Sequence, residues 1–542
     1  MISQDSEDEL VDKTEATPAF EDPPSAMQKK QCVESLLLAV RSKAPVIEHV
    51  LSTAGQQPLS TYLNDICRFS EESFQPRDDI AEVVEQYLTP LLGQAIAQKT
   101  ALDLLLHPVA LTANHHGVDY FAQSVQGSLL FGLAKRQIPN VSTIPVFSCA
   151  NIPLDNLTYP RGALLYACDR QTHWPQRIPF FSNKFRRQPV ARVKGLDQPM
   201  LQQAVKQVRR LAEAGQSSAP VNSLLALLET EYLAEDVLSQ SGYSAQSVTL
   251  NKRIWKRLFC PSTMMPELIT IELEALAEGL LLKDLRNPHS LVSVLLGESL
   301  VSEMYQQLNG IAGCWDCQQL ERRWVGRQQP ESLTTSGCGT FCFWGVDERL
   351  RRIPLMLTRV AGVSMLQGCD DNGKEYAFHL DSAALIDAIS KGQLLPSVFG
   401  CFLVTALARG VTCLGGYYQA DYLPQMQAAI TAVLLSNNHF EVASAIAECR
   451  TDGYLSGMQT VMIEQNNGVL PAGVLEILAS GVLTPAELEF IENISLSDAH
   501  YASLAETLAD IMPQTLSFES REALTIAQKS LLLDRVVLRR LS

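Results

Sequence analysis

The spacing of apolar residues divides the chain into helical and strand-like stretches. Residues 31–107 carry apolar side chains at helical spacing, as in CVESLLLAVRSKAPVIEHVLS, and this pattern predicts an N-terminal helical region. From residue 108 the pattern changes, because PVALTANHHG and STIPVFSCAN are strand-like runs separated by the helical stretch FAQSVQGSLLFGLAKRQ. Strand, helix and strand in this order form a βαβ unit, in which the strands pair in parallel. The pattern therefore predicts an α/β fold with a parallel-sheet core.

The rest of the chain extends this division to six regions. Residues 1–30 are acidic and polar, and we expect a disordered tail because they bury too little apolar surface. Residues 108–200 are expected to form the first half of the core, 201–330 a helical connecting region, 331–430 the second half of the core and 431–542 a C-terminal helical region. Within them, ITIELEALAEGLLLKDL fits either a strand and a helix or one long helix, and the Asn-Gly pair of CDDNGKEYAFHL predicts a hairpin turn.

Composition narrows the kind of partner. The formal net charge is -16, which argues against a nucleic-acid-binding protein, since such proteins need a basic surface. The sequence shows no signal peptide and no apolar run of the roughly 18 residues that span a membrane. Its 13 cysteines are scattered and odd in number, which is typical of reduced thiols in the cytoplasm. We therefore expect a cytoplasmic protein that binds a small molecule, and its oligomeric state stays open.

Four stretches follow one another in an order that is typical of one protein family. ALTANHHG places Thr five residues before Gly, IPVFSCANIPLDN opens with Pro-Val-Phe, and PVARVKGLDQ follows. The fourth stretch, ending in CLGGYYQADYLPQM, places Tyr six and Gln nine residues after a Gly-Gly pair. Together they resemble the cysteine-adding ligases of bacillithiol synthesis over roughly residues 100–430. The resemblance implies a Rossmann-like core with large helical additions at the N-terminus, in the middle and at the C-terminus.

The resemblance and the strand-end positions together suggest a site. Loops that follow parallel strands and precede helices bind ligands, and helix N-termini attract anions. His116 and Asp155 lie in two such loops and are the candidate catalytic residues, since an aspartate beside an imidazole can act as a base toward an attacking amine. The candidate substrate-binding residues are Thr112, Asn114, His115, Gly117, Asn156, Arg161, Gly415, Gly416, Tyr422 and Gln425.

The function implied is that of a ligase-like enzyme that forms a C–N bond between an amino acid or other amine and an acidic or sugar-derived small molecule, in thiol or natural-product biosynthesis. Where the family has a Glu-Asp-His-Asp cluster, this chain has Ile152, Pro153, Leu154 and Asp155. The alternative is therefore a non-catalytic ligand-binding or assembly protein of the same fold.

Cofactors are left open by the sequence. Neither a Walker loop nor a G-x-G-x-x-G loop is present, and whether a nucleotide is used stays undecided. The spacing of Cys314, Cys317, Cys338 and Cys342 raises zinc as an alternative, although buried reduced cysteines fit the same pattern. The basic stretch NKFRRQPVARVK fits a solvated charged face better than an anion site.

Overall fold

The computed structural model describes residues 26–69, 78–167, 175–213, 218–326, 338–465, 468–512 and 518–541. Of the acidic segment 1–30, residues 1–25 lie outside these ranges, and the first helix begins at Ala26. None of the described helices is long and apolar enough to cross a lipid bilayer.

Helices make up most of the regular structure. They are α1 (Ala26–Lys43), α2 (Pro45–Ala54), α3 (Leu59–Ile66), α4 (Asp78–Leu92), α5 (Gln94–Leu106), α6 (Ala122–Lys135), α7 (Gln198–Glu213), α8 (Ser218–Leu227), α9 (Glu235–Leu238), α10 (Tyr243–Arg257), α11 (Leu273–Asp284), α12 (Leu291–Leu296), α13 (Val301–Gln307), α14 (Cys317–Val325), α15 (Ser382–Ser390), α16 (Val398–Phe402), α17 (Tyr417–Ser436), α18 (Phe440–Ala447), α19 (Val474–Ser480), α20 (Pro485–Asn493), α21 (Leu496–Ile511) and α22 (Phe518–Leu532). Single π-helical turns follow α8 at Leu228–Tyr232 and α16 at Leu403–Leu407.

The strands are short and spread along the chain. They are β1 (Val109–Leu111), β2 (Thr143–Ser148), β3 (Gly162–Leu165), β4 (Gln176–Pro179), β5 (Glu267–Glu272), β6 (Phe343–Val346), β7 (Arg352–Pro354), β8 (Met356–Val360), β9 (Val363–Cys369), β10 (Glu375–His379), β11 (Leu394–Pro396), β12 (Thr412–Gly416), β13 (Tyr454–Ser456), β14 (Val461–Gln465), β15 (Gly468–Pro471) and β16 (Val537–Arg540).

A five-stranded parallel sheet forms the centre of the fold. Its strands follow the order β13-β12-β1-β2-β5, and every neighbouring pair is parallel. Every residue of β1 and β2 is buried, as expected for parallel strands that are covered on both faces. Because all five strands run in the same direction, their carboxyl ends meet at one edge, called the carboxyl edge below.

Alternate side chains of these strands enter two separate apolar cores. Val109 and Leu111 of β1 pack in the same core as Val146, whereas Ala110 packs in the other core together with Phe147. This alternation follows from the two-residue period of a strand, which sends successive side chains to opposite faces. Helix α6 belongs to the first core, while α4, α5 and α11 belong to the second. The sheet is therefore a middle layer between two helical layers.

Smaller sheets surround this centre. Three-stranded sheets form in the orders β10-β9-β8, β11-β6-β7 and β15-β14-β16, and β3 pairs with β4. The antiparallel pairing of β6 with β7 positions Arg352, which is the first residue of β7. The Asp347 carboxylate accepts hydrogen bonds from the backbone N–H groups of Arg349 and Arg351 at 2.8 and 2.7 Å and so fixes the turn between these two strands.

The structure confirms the mixed α/β architecture and several of the elements that the sequence predicts. β1, α6 and β2 form the expected βαβ unit with parallel strands. The stretch ITIELEALAEGLLLKDL, for which the pattern left two possibilities, forms a strand and a helix, β5 followed by α11. The hairpin at Asn372 and Gly373 joins β9 to β10, and Gly373 has a φ of +80°, which favours glycine. Strands β5 and β13 complete the central sheet from regions 201–330 and 431–542, where the pattern predicts mainly helices.

Candidate functional site

The carboxyl edge of the central sheet gathers polar side chains from three neighbouring strands. The loop from Thr112 to Gly117 follows β1, Cys149 and Asn151 follow β2, and Glu272 ends β5. Ligands of open parallel sheets bind outside the carboxyl ends of the strands. The carboxyl edge is therefore the candidate functional site.

His116 lies in a buried chain of hydrogen bonds at this edge. Its Nδ1 is 2.6 Å from Ser148 Oγ, and its Nε2 is 2.9 Å from Ser244 Oγ and 3.2 Å from the Ser244 carbonyl oxygen. Because a carbonyl oxygen only accepts, we assign the proton to Nε2, so that Nδ1 accepts from Ser148. The Ser244 hydroxyl in turn donates to the Glu272 carboxylate. Four side chains from β2, α10, β5 and the β1 loop are thus linked.

Burial shifts the pKa values of the two titratable groups in this chain of hydrogen bonds. It lowers the pKa of His116 to about 4, and it raises the pKa of Glu272 to about 8, with the nearby Glu274 charge adding to the rise. At neutral pH the imidazole is therefore neutral and Glu272 holds a proton. His116 has no exposed surface, so it can influence a ligand only through its partners. This chain of hydrogen-bonded side chains is suited to storing and passing a proton.

Cys149 and Glu274 form a second cluster beside this chain. The half-buried Cys149 thiol is 3.3 Å from Glu274 Oε1 and 3.5 Å from Asn151 Oδ1. The other Glu274 oxygen accepts a hydrogen bond from the Ala150 backbone N–H at 2.6 Å. Burial raises the pKa of both the thiol and the carboxyl group, and the Glu274 charge raises the pKa of the thiol further. The thiol is therefore protonated at rest and lies next to a carboxylate that can accept its proton.

Arg352 brings a positive charge to the same cluster. Its guanidinium lies 4.4 Å from the centre of the Trp344 ring, and its Nη1 is 3.4 Å from Asn151 Oδ1. Across the described ranges this is the one hydrogen bond of the Arg352 side chain, and it forms no ion pair there. The Asn151 side chain is 3% exposed, and its Nδ2 has no partner in the same part of the chain. Several N–H donors at this position are therefore free to hold an anion.

Other basic residues near the carboxyl edge are occupied by carboxylates. Arg192 pairs with Glu278, one helical turn after Glu274, at 2.7 Å. Arg187 pairs with Asp371 at 2.6 Å, and Lys194 pairs with Asp197 at 3.1 Å. The basic stretch 183–194 thus contributes mostly internal ion pairs, which leaves Arg352 as the cation best placed to bind a ligand.

The loop after β1 is filled by the protein's own side chains. Asn114 Nδ2 donates to Asp119 at 3.0 Å and to Ser128 at 3.1 Å. The Asp119 carboxylate also accepts the backbone N–H of Phe121, just before α6, and burial raises its pKa to about 7. A carboxyl group here opposes the binding of a phosphate at the N-terminus of α6. Gly117, with a φ of +137°, lets the chain turn tightly, and its carbonyl accepts from Asn251 at 2.9 Å.

The two loops that the sequence singles out do meet, but through residues other than the expected catalytic pair. His115 Nδ1 is 3.0 Å from Asn156 Oδ1 and 3.1 Å from Thr158 Oγ1. Asp155 is exposed, and its carboxylate lies 3.9 Å from Arg186. Arg161 donates from Nε to the Phe181 carbonyl at 2.8 Å. Asp155 and His116 have no direct contact in the ranges described.

The expected residues of the opposite wall separate into two groups. Thr112 hydrogen bonds to Gln419 at 2.7 Å, and a side chain at Gly415 would collide with Gln419, so this corner is closely packed. A Cβ atom at Gly416 would meet only the Ser456 carbonyl oxygen, at 3.5 Å, so a side chain would fit at this position. Tyr422 is half-buried on α17, and burial, with smaller contributions from Cys149 and other nearby cysteines, raises the pKa of its hydroxyl group. Gln425 is exposed and donates to the Asp421 carbonyl at 3.1 Å within α17.

The zinc alternative finds no support in the described part of the chain. No group of three or more His, Cys, Asp or Glu side chains is arranged there to hold a metal ion. Cys314, Cys317, Cys338 and Cys342 are buried free thiols, and burial raises the pKa of each. They contribute to apolar packing, since all four belong to the second core.

Apart from His116, sequence reasoning missed the residues that form these two clusters. Cys149 and Asn151 were within reach, because they directly follow the second predicted strand. Dividing ITIELEALAEGLLLKDL into a strand and a helix would have placed Glu272 and Glu274 at the carboxyl end of a strand. Arg352 had no local signal, since the β6–β7 hairpin approaches the carboxyl edge only in the folded chain.

No protein-family model, curated protein or solved structure matches this chain. The resemblance to cysteine-adding ligases therefore remains a hypothesis drawn from four sequence stretches.

Proposed function

We propose that the chain is a ligase-like enzyme with a Rossmann-like core, forming a C–N bond between an amine, such as an amino acid, and an acidic or sugar-derived small molecule. The strand order supports the fold assignment. Numbered by their position along the chain, the five central strands run 3-2-1-4-5, which matches the first five strands of the Rossmann arrangement. In that arrangement ligands bind at the carboxyl edge.

The observation that carries the proposal is that Arg352 and Glu274 lie in one cluster at this edge, each in contact with a residue that follows β2. Arg352 has free N–H donors among the described residues and can hold the carboxylate of an acidic substrate. Both residues lie around Asn151 and Cys149, since Asn151 contacts Arg352 and Cys149 contacts Glu274. The same cluster therefore offers an anion-binding group and a proton-accepting group.

The carboxyl groups suit the attack of an amine. An amine attacks only in its neutral form and loses a proton as the C–N bond forms. A carboxylate with a raised pKa accepts a proton better than an ordinary one, and burial raises the pKa of Glu274. Arg352 would also stabilise the negative charge that develops on the acceptor.

The setting that we propose is small-molecule biosynthesis in the cytoplasm. The eleven cysteines whose side chains the structure describes are all free thiols, as in a reducing compartment. Thiol or natural-product biosynthesis fits an enzyme that adds an amino acid to an acid.

A second candidate is a non-catalytic ligand-binding or assembly protein of the same fold. It is favoured by the positions of the two expected catalytic residues, because His116 is fully buried and Asp155 is exposed beside Arg186. Under this alternative Arg352 and Asn151 would still hold an anion, but Glu274 would move no proton.

A ligand screen with matched variants separates these candidates. We expect small dicarboxylates or sugar acids to raise the melting temperature of the protein, since a ligand at 100 times its Kd adds about 2.7 kcal/mol of stability. Arg352→Met should abolish the rise, whereas Arg359→Met, which alters an exposed arginine on β8, should retain it. Loss of the rise in both variants, or in neither, would contradict the assignment of the anion site.

The chemical step needs its own measurement. The acid identified by the screen is incubated with amino acids, with and without ATP, and condensation products are sought by mass spectrometry. Glu274→Gln should keep ligand binding and lose product. Binding without product in the unaltered chain would favour the non-catalytic alternative.

A further inference from the structure

We propose that Cys149 is a nucleophilic thiol that takes up the acyl group of an activated small carboxylic acid, an ester or thioester that carries a second, free carboxylate. Arg352 and Asn151 hold the free carboxylate, and Glu274 moves the proton. The later transfer of this acyl group to an amine rests on the proposed function, whereas formation of the thioester does not.

Position and access set Cys149 apart from the other thiols. Of the eleven cysteines whose side chains the structure describes, Cys149 and Cys260 are half-buried and the other nine are buried. Cys260 lies beside Ser262, with their side chains 3.2 Å apart. Cys149 instead lies at the carboxyl end of β2, with its sulfur 3.3 Å from Glu274 Oε1. A thiol in contact with a carboxylate has a base ready at the moment of attack.

Asn151 provides the independent sign of a ligand. Its carboxamide lies between Cys149 and Arg352, with Oδ1 3.5 Å from the sulfur and 3.4 Å from Arg352 Nη1. The side chain is 3% exposed, yet its Nδ2 has no partner within the part of the chain described. A buried donor without a partner costs about 1–3 kcal/mol, so a ligand oxygen at this position would relieve the cost. Arg352, which contacts the same carboxamide, offers further N–H donors.

The proposed steps balance without any further reactant. The Cys149 S–H proton passes to Glu274 as the sulfur electron pair forms an S–C bond with the acyl carbon. The bond from that carbon to the ester oxygen or thioester sulfur breaks, and the leaving alcohol or thiol takes the proton from Glu274. An amine then forms a C–N bond to the same carbon, the S–C bond breaks, and the amine proton returns through Glu274 to Cys149.

The test uses the full-length chain and two chromogenic esters. Mono-4-nitrophenyl succinate carries the free carboxylate, and 4-nitrophenyl butyrate is its uncharged counterpart. With the succinate ester we expect a burst of one 4-nitrophenolate per chain and a succinyl group on Cys149 in peptide mass spectra. Arg352→Met should slow the burst with the succinate ester at least about tenfold more than it slows the reaction of the butyrate ester, since only the succinate ester has a free carboxylate to accept charge-assisted hydrogen bonds.

Matched variants keep the result interpretable. Cys149→Ala and the conservative Cys149→Ser should both lose the succinyl-thioester, whereas Cys260→Ala should retain the full burst. Acylation of Cys260 instead, equal rates with the two esters, or no burst in a protein that melts normally would overturn the proposal. If the thioester forms but amines do not discharge it, the thiol role stands and the C–N function fails. If acid and amine condense without a thioester, the reverse holds.

Discussion

Lys135, the last residue of α6, shows how one buried charge affects the folded state. Its side chain has no exposed surface, and Nζ lies 2.7 Å from His107 Nδ1 and 3.1 Å from the His107 carbonyl oxygen. Burial lowers the pKa of Lys135 to about 7 and that of His107 to about 3. Near and above neutral pH, the folded protein therefore accommodates this lysine largely as a neutral amine, which donates to the imidazole.

Replacing this lysine should change how stability depends on pH. In the unfolded chain a lysine keeps its proton up to a pKa of about 10.4, so folding releases a proton between pH 7 and that value. The unaltered protein should therefore gain stability as pH rises through this window and lose it again as pH falls toward 7. We expect Lys135→Met to remove this gain, measured as urea unfolding free energies at pH 7, 8, 9 and 10.

Lys99, exposed on α5, provides the matched control for Lys135. Lys99→Met should leave the pH dependence unchanged, because an exposed side chain is in water in both states. A pH dependence in Lys135→Met equal to that of the unaltered protein would show that Lys135 keeps its charge when buried.

At the scale of elements, Arg409 joins two helices beside the central sheet. It lies three residues before β12, is 3% exposed, and contacts Asp79 in the first turn of α4 and Asp284 at the end of α11. The closest N–O distances are 2.6 and 2.8 Å. Its Nη1 also donates to the Val404 carbonyl at 3.1 Å. One side chain thus ties together elements that begin and end far apart in the sequence.

Removing the ion pairs of Arg409 should destabilise the fold strongly. We expect Arg409→Met to cost about 3–5 kcal/mol in urea unfolding, because Asp284 would remain buried without its partner. Adding Asp284→Asn to that variant should recover part of the loss, since the unpaired charge is then gone. Arg286→Met, at an exposed position near Asp284, should change stability by less than about 0.5 kcal/mol. Equal losses in the two arginine variants would contradict this role.

Elements set by local patterns could be predicted, whereas the site depends on distant pairings. The period of apolar residues predicts β1, α6 and β2, and the Asn-Gly pair predicts the β9–β10 hairpin. The pairing of β2 with β5 links residues more than 120 positions apart, and it brings Glu272 to Ser244 and His116. Arg352 comes from still further along the chain. No local spacing encodes such contacts, so the sequence predicts the loops that follow β1 and β2 but not the side chains that other parts of the chain bring to them.

For the whole molecule, buried titratable groups act in opposing directions as pH changes. Burial raises the pKa of Asp119 and Glu476 to about 7 and that of Glu272 to about 8. Each of these groups stabilises the fold below its unfolded pKa and loses that contribution as pH rises through the folded value. Burial lowers the pKa of His116 and His500 to about 4, so their contribution is lost as pH falls. Above the ordinary histidine pKa of about 6.5 the histidines no longer change the free energy of unfolding, and the carboxyl groups lower it as pH rises. Lys135 opposes this decrease from about pH 7 upward.

Glu272 provides the sharpest test of this balance, because its carboxyl group ends the chain that runs through Ser244 to His116. Between pH 5 and 8 the folded protein keeps a proton on Glu272 that the unfolded chain has already released, so the contribution of Glu272 to stability falls as pH rises. Glu272→Gln carries no such proton, so its free energy of unfolding should rise relative to that of the unaltered protein across this range, by on the order of 3 kcal/mol. Unfolding free energies of both proteins at half-unit pH steps measure the gain, with exposed Glu298→Gln as the control. A constant difference between Glu272→Gln and the unaltered protein would mean that Glu272 is ionised at neutral pH, and the buried chain could then not serve as a proton store.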